Sequence, residues 1–175
     1  MLRNGTVILY PYKKSRSFIT NFVGRVICFV TLSKYTHASV YFRKYVYEST
    51  MFANNEIFGV RKTKSIPGGV EFYQLKTSLT RQQADRFGKI LDKRVKEEEP
   101  YNIFKLLVLM IVYPTRNLWR KLGWIPFDNK IFGSICSEFV DEAFKAAGID
   151  LIPSHPEGYT APVDFTRSKL LEKVE

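Results

Sequence analysis

The stretch THASVYFRKYVYEST, Thr36 to Thr50, constrains the fold more than any other part of the chain. Both halves are rich in β-branched and aromatic residues, and a basic pair, Arg43-Lys44, stands between them. Alternation of period two on both sides of a short polar break predicts a β-hairpin. Turn length then decides what each face carries. A two- or four-residue turn around Arg43-Lys44 pairs Ser39 with Glu48 and His37 with Thr50. His37, Ser39 and Glu48 then share one face, with Glu48 the diagonal neighbour of His37 and within side-chain reach. A three-residue turn slips the register by one and sends Glu48 to the other face.

Other elements read more simply. Thr6 to Tyr10 is a strand ended by Pro11, and GVEFYQL, Gly69 to Leu75, is another after the turn signal PGG. Phe18, Ile19, Phe22, Val23, Val26, Ile27 and Val30 form a helical stripe, with Cys28 near the opposite side. TRQQ is a capping box with Thr80 as N-cap, opening a helix whose inward stripe is Ala84, Phe87, Ile90, Leu91 and Val95. Asn102 caps a further, mostly apolar helix that runs to about Tyr113 and is stopped by Pro114. A last helix runs from near Ser134 to Gly148. The order β-α-β-β-β-α-α-α predicts an α+β fold with a small antiparallel sheet.

At 175 residues, without repeats or Gly/Ser linkers, the chain reads as one domain spanning 1–175. Its two cysteines build no disulfide framework, and with only two histidines a structural zinc site is not expected. No cofactor is expected either. Asn21, Gly24 and Arg25 interrupt the first apolar run, so it does not read as a signal peptide. Leu106 to Val112 falls far short of the ~20 residues that span a bilayer. The expected setting is the cytoplasm, or the host cell if the protein is viral. A net charge of +10 argues for an anionic partner. The basic residues are spread along the chain and match no nucleic-acid-binding signature, so nucleic acid is the weaker choice. TRNLWRKLGWIPF gathers Arg116, Trp119, Arg120, Lys121 and Trp124, a composition suited to an anionic membrane surface, to a lid, or to simple packing.

Candidate chemistry centres on ICSEFVDEAF. Cys136 falls in the first turn of the last helix and on the stripe of Phe139, Val140, Ala143, Phe144 and Ala147, which points its thiol toward the sheet. Free N–H groups and the positive end of the dipole favour a thiolate there. The competing reading is a small core residue. His37 is the candidate base, and Glu48 on its face would fix one imidazole tautomer. Taken singly, His37 reads as a half-buried strand residue with a backbone partner and Glu48 as a solvated charge beside Arg43 and Lys44. His155, between prolines, is the weaker base.

THASVYF, YES, EPYNIF, ICSEFVDEAFKAAGI and APVDF together resemble, in order and spacing, the circularly permuted branch of the NlpC/p60-type papain-like cysteine hydrolases, the YiiX-like branch with bacterial and viral members. In that branch the histidine strand precedes the cysteine helix, as His37 precedes Cys136 here. The resemblance implies a permuted papain-like fold with the sheet packed on the cysteine helix. It implies Cys136 as nucleophile, His37 as general base, Glu48 as the orienting third residue, and Tyr101 as a hydroxyl that helps bind the oxyanion. Ser39 stands where many relatives have glycine and places a hydroxyl beside the substrate path. The implied activity is a peptidase- or amidase-type hydrolase working on an amide-type acyl bond through an acyl-enzyme. The alternatives are a lipid or thioester acyl hydrolase or acyltransferase at a membrane, and a non-catalytic basic binding protein that keeps the fold.

Overall fold

A computed structural model describes residues 2–14, 17–53, 56–57, 59–115, 134–153 and 160–174. Along the chain run β1 (Thr6–Pro11), α1 (Phe18–Thr31), β2 (Tyr35–Phe42) and β3 (Tyr45–Ser49). The short strands β4 (Phe52–Ala53) and β5 (Glu56–Ile57) form a separate pair, followed by β6 (Val60–Thr63) and β7 (Glu71–Leu75). Then come α2 (Arg81–Lys96), α3 (Ile103–Val112), α4 (Cys136–Ala146) and β8 (Leu171–Val174). One antiparallel sheet of six strands has the order β6-β3-β2-β1-β7-β8. The architecture is α+β, as the element order predicts. The sheet is larger than that order implies, because β6 and β8 are too short and polar to register as alternating runs.

The hairpin is the frame of the molecule. Arg43 and Lys44 have φ of 48° and 71°, so both central residues are left-handed and the turn has two residues. This is the hairpin turn whose twist suits the flanking strands, normally filled by Asn-Gly. The pairs Phe42↔Tyr45, Tyr41↔Val46 and Val40↔Tyr47 follow from it, and they fix the register that puts Glu48 on the His37 face. β6 then adds to the outer side of β3 with Glu48 opposite Arg61.

Helix α4 packs on β2 and β3, and α2 packs on α4. The packing is aromatic at its centre: the Phe42 and Phe87 ring centroids lie 5.4 Å apart, and those of Phe87 and Phe144 4.7 Å. Phe139, Val140, Ala143, Phe144 and Ala147 are all buried, as their periodicity predicts. The caps also form: Thr80 and Gln83 complete the capping box of α2, and Asn102 Oδ1 accepts from Lys105 N at 2.7 Å. The stripe of α1 behaves differently. Ile27 is buried, but Phe18, Ile19 and Phe22 are exposed. Among the described residues no helix is long and apolar enough to cross a membrane.

Tyr101 is held between two remote segments. Gly59 bridges Pro100, and Tyr101 bridges Ser134, the second residue before α4. A Cβ on Gly59 would fall 1.8 Å from the Glu99 carbonyl oxygen, so only glycine admits this close approach.

Left-handed non-glycine residues carry strain of about 1 kcal/mol or more each. Lys44→Gly is therefore expected to raise the unfolding free energy by about 1 kcal/mol. A higher urea midpoint at unchanged slope is the readout; an unchanged midpoint would mean that the turn is unstrained.

Candidate active site

Glu48 is a carboxylate that the fold keeps almost entirely from water, with a side chain 8 % exposed. Its Oε2 meets His37 Nε2 at 2.7 Å, and its Oε1 accepts from Arg61 Nε at 2.9 Å and Nη2 at 2.7 Å. Burial alone would raise its pKa. The bonds from His37 and Arg61 outweigh that and hold it down to about 2. The charge is thus fixed, and its direction is toward the imidazole.

His37 is half-buried on β2 and registers opposite Tyr10 of β1. The Tyr10 ring stands edge-on to the imidazole with centroids 4.8 Å apart. With Nε2 bonded to Glu48, Nδ1 is the nitrogen left for the Cys136 thiol, its hydrogen-bond partner on the other side. Burial opposes charge on the ring, but a Cys136 thiolate on one side and Glu48 on the other raise its pKa to about 10. The site therefore favours the charged form of the imidazole, held between the Glu48 carboxylate and Cys136.

Cys136 opens α4 and is 5 % exposed. Burial raises its pKa, yet the charge and hydrogen bond of His37, with backbone groups of Ala38 and Ser137, bring it below the ordinary thiol value. The N-cap residue Ile135 has no side-chain cap bond, so the first N–H groups of α4 are not taken by a capping side chain. They point where a thiolate, or a developing oxyanion, needs them.

Tyr101 hydrogen-bonds to Cys136, and burial together with the nearby sulfur charge keeps its hydroxyl firmly protonated. It is thereby a donor beside the sulfur. Ser39 is on the same strand face but fully buried, and its Oγ lies 3.0 Å from Tyr10 Oη, so its hydroxyl is used within the protein. Tyr10 in turn is kept neutral, pushed up to about 12 by burial and by the charge of Glu48. A cleft of about 170 Å³ reaches His37 and Tyr101, walled by Tyr12, Val23, Gly24 and Leu106.

The structure thus brings together Cys136, His37, Glu48 and Tyr101, and places Ser39 behind them. Arg61 and Tyr10 belong to the same cluster, and no sequence feature singles them out. Tyr10 becomes legible only once β1 is paired with β2, and Arg61 only once β6 is recognised as a strand. APVDF is a clamp: Asp164 accepts from Ala161 N at 2.8 Å and from Tyr113 Oη at 2.9 Å, while Ser137 Oγ donates to Thr160 O at 2.5 Å and ties α4 to it. Arg116, Trp119, Arg120, Lys121, Trp124 and His155 lie outside the described residues.

No family model and no curated protein matches the chain. Among solved structures it is similar to the metalloprotein YiiX from Escherichia coli O157:H7, with a TM-score of 0.59 and 15 % identity over 99 % of this chain and 96 % of that one. At that identity the likeness extends to the fold. The described residues of this site do not suit a metal. Among the described residues no group of three or more His, Cys, Asp or Glu side chains converges. Both Glu48 oxygens and His37 Nε2 are already engaged by neighbours.

Two outcomes are expected. In a Cys28→Ser background, iodoacetamide should alkylate Cys136 with a midpoint below the reference of about 8.5. His37→Ala should move that midpoint upward, since burial is then opposed only by the backbone groups of Ala38 and Ser137; an unmoved midpoint would separate the two residues. For Glu48, the folded carboxyl titrates near 2, below its unfolded value of about 4.3. Its contribution is complete above the unfolded value and drains as pH falls through the folded one. The urea midpoint of wild type should drop between pH 5 and pH 3 more than that of Glu48→Gln.

Proposed function

We propose that the chain is a circularly permuted papain-like, NlpC-type cysteine hydrolase that cleaves an amide-type acyl bond. The observation that carries the reading is a thiol at the uncapped start of α4, hydrogen-bonded to a histidine whose other nitrogen meets a buried, Arg61-anchored carboxylate. Nucleophile, base and orienting residue are the three parts that acyl transfer through an enzyme thioester requires.

In the proposed cycle the thiol proton rests on His37 Nδ1 and the thiolate attacks the acyl carbon, forming a C–S bond. The oxyanion is met by N–H groups at the start of α4 and by the Tyr101 hydroxyl. Collapse breaks the C–N bond, and the leaving amine takes the proton from His37. Water then gives a proton to His37 and attacks the thioester, releasing the acid and restoring the thiolate. Glu48 stays ionised throughout and holds the ring by Nε2.

A second reading keeps this chemistry and changes the acyl group to that of a lipid or thioester. A narrow apolar crevice between α1 and α3 supports it, lined by Ile27, Val30, Leu106, Leu109 and Met110 and reaching Cys136. It is closed to about 10 Å³, so a chain would enter by parting the two helices.

The test is intact-mass detection of a hydroxylamine-sensitive adduct after exposure to peptide anilides and to thioesters of short and long acyl chains. Wild type should form and turn over an adduct that Cys136→Ala does not form. Tyr101→Phe should lower kcat by roughly a hundredfold. Adducts from long-chain thioesters only would favour the second reading. No adduct from any probe would leave a basic binding protein on this fold.

A further inference from the structure

Helix α3 is inverted relative to an ordinary surface helix. Its one charged residue, Lys105, is 8 % exposed and donates to Glu138 of α4, inside the protein. Phe104, Leu107 and Ile111 face out, Ile111 at 75 % exposure. α1 packs beside α3 and has the same character. Gly24, Ile27 and Thr31 are its buried residues, while Phe18, Phe22 and Phe29 stand in solvent, Phe18 at 82 %. By helical periodicity these three phenylalanines form one narrow stripe, with Arg25 among them. Single exposed apolar residues are ordinary; two adjoining helices that both turn them outward mark an interaction surface.

Charge selects what that surface fits. Between Tyr12 and Tyr35 the chain carries Lys13, Lys14, Arg16, Arg25 and Lys34 and no Asp or Glu, and Tyr101 to Thr115 carries no acid. Lys14 and Arg25 are exposed. Lys34 is paired with Glu71, which leaves Lys14 and Arg25 as exposed cations beside the apolar stripe. A second copy of the chain is a poor match, because a two-fold contact sets these cations against their own copies. Apolar side chains ringed by cations are the pattern of helices that lie in the interface of an anionic bilayer. We infer that the outer face of α1 and α3 docks on a bilayer containing anionic phospholipid. The cleft to His37 and Tyr101 is walled by Thr20, Val23 and Gly24 of α1 and Leu106 of α3, so the two helices that carry the docking face also bound the cleft. The docking does not rest on the proposed chemistry, and it uses residues other than the tryptophan-rich stretch.

The test is co-sedimentation of the full chain with phosphatidylcholine vesicles, with and without phosphatidylglycerol, at low and high salt. Wild type should pellet with the anionic vesicles at low salt and be released by high salt. Arg25→Gln should weaken binding about fivefold at low salt. Phe22→Ser with Phe29→Ser should weaken it more than about tenfold while the thermal melt stays as in wild type, since both side chains are exposed. Cys136→Ala should pellet like wild type, which keeps this result apart from any failure of the hydrolase reading. Three results would overturn the inference: wild type left in the supernatant, the double phenylalanine variant pelleting unchanged, or a solution dimer that this variant dissolves.

Discussion

One buried carboxylate organises the site. A lone Glu48 charge, nearly out of water, would cost several kcal/mol. It persists because two strands bring it cations from opposite sides, Arg61 from β6 and His37 from β2. Each partner then depends on the others. Without Arg61, Glu48 loses the anchor that aims it. Without Glu48, His37 loses the bond that fixes its free nitrogen toward Cys136. The strand order β6-β3-β2 is the smallest sheet that can build this chain of contacts. Its register is set by the two left-handed residues of the turn.

The sulfur comes from elsewhere in the chain and meets this arrangement at the start of α4. Ser134 locks the junction, accepting from Ser49 Oγ at 2.9 Å and bridging Tyr101. The segment leading into α4 is therefore tied to the end of β3 and to the connection between α2 and α3. Gly59 brings that connection into place by letting Glu99 lie against the backbone. Tyr101 owes its position beside Cys136 to these backbone contacts, and so a residue far from the sulfur in sequence is kept within reach of it.

Much of this is legible in the residues. The hairpin is legible because both of its strands alternate, and the helix of Cys136 because a sustained apolar stripe at helical spacing suits little but a helix packed on a core. The His37–Glu48 pair is legible only conditionally, since Arg43-Lys44 is not a composition that names its own turn; the two positive φ values decide it. Arg61 is hidden in VRKT, a short, largely polar strand whose role comes from what it pairs with. The phenylalanines of α1 mislead in another way. Periodicity says which residues share a face, but not whether the protein covers that face, and here it leaves Phe18 and Phe22 bare.

The order of the two halves along the chain has a consequence for synthesis. His37, Glu48 and Arg61 all precede Cys136, and the low thiol pKa requires both the imidazole and the docked start of α4. A nascent or unfolded chain therefore carries an ordinary, sluggish thiol. The surroundings that lower the thiol pKa arise only when α4 docks on β2, so a chain still lacking that contact does not yet have them.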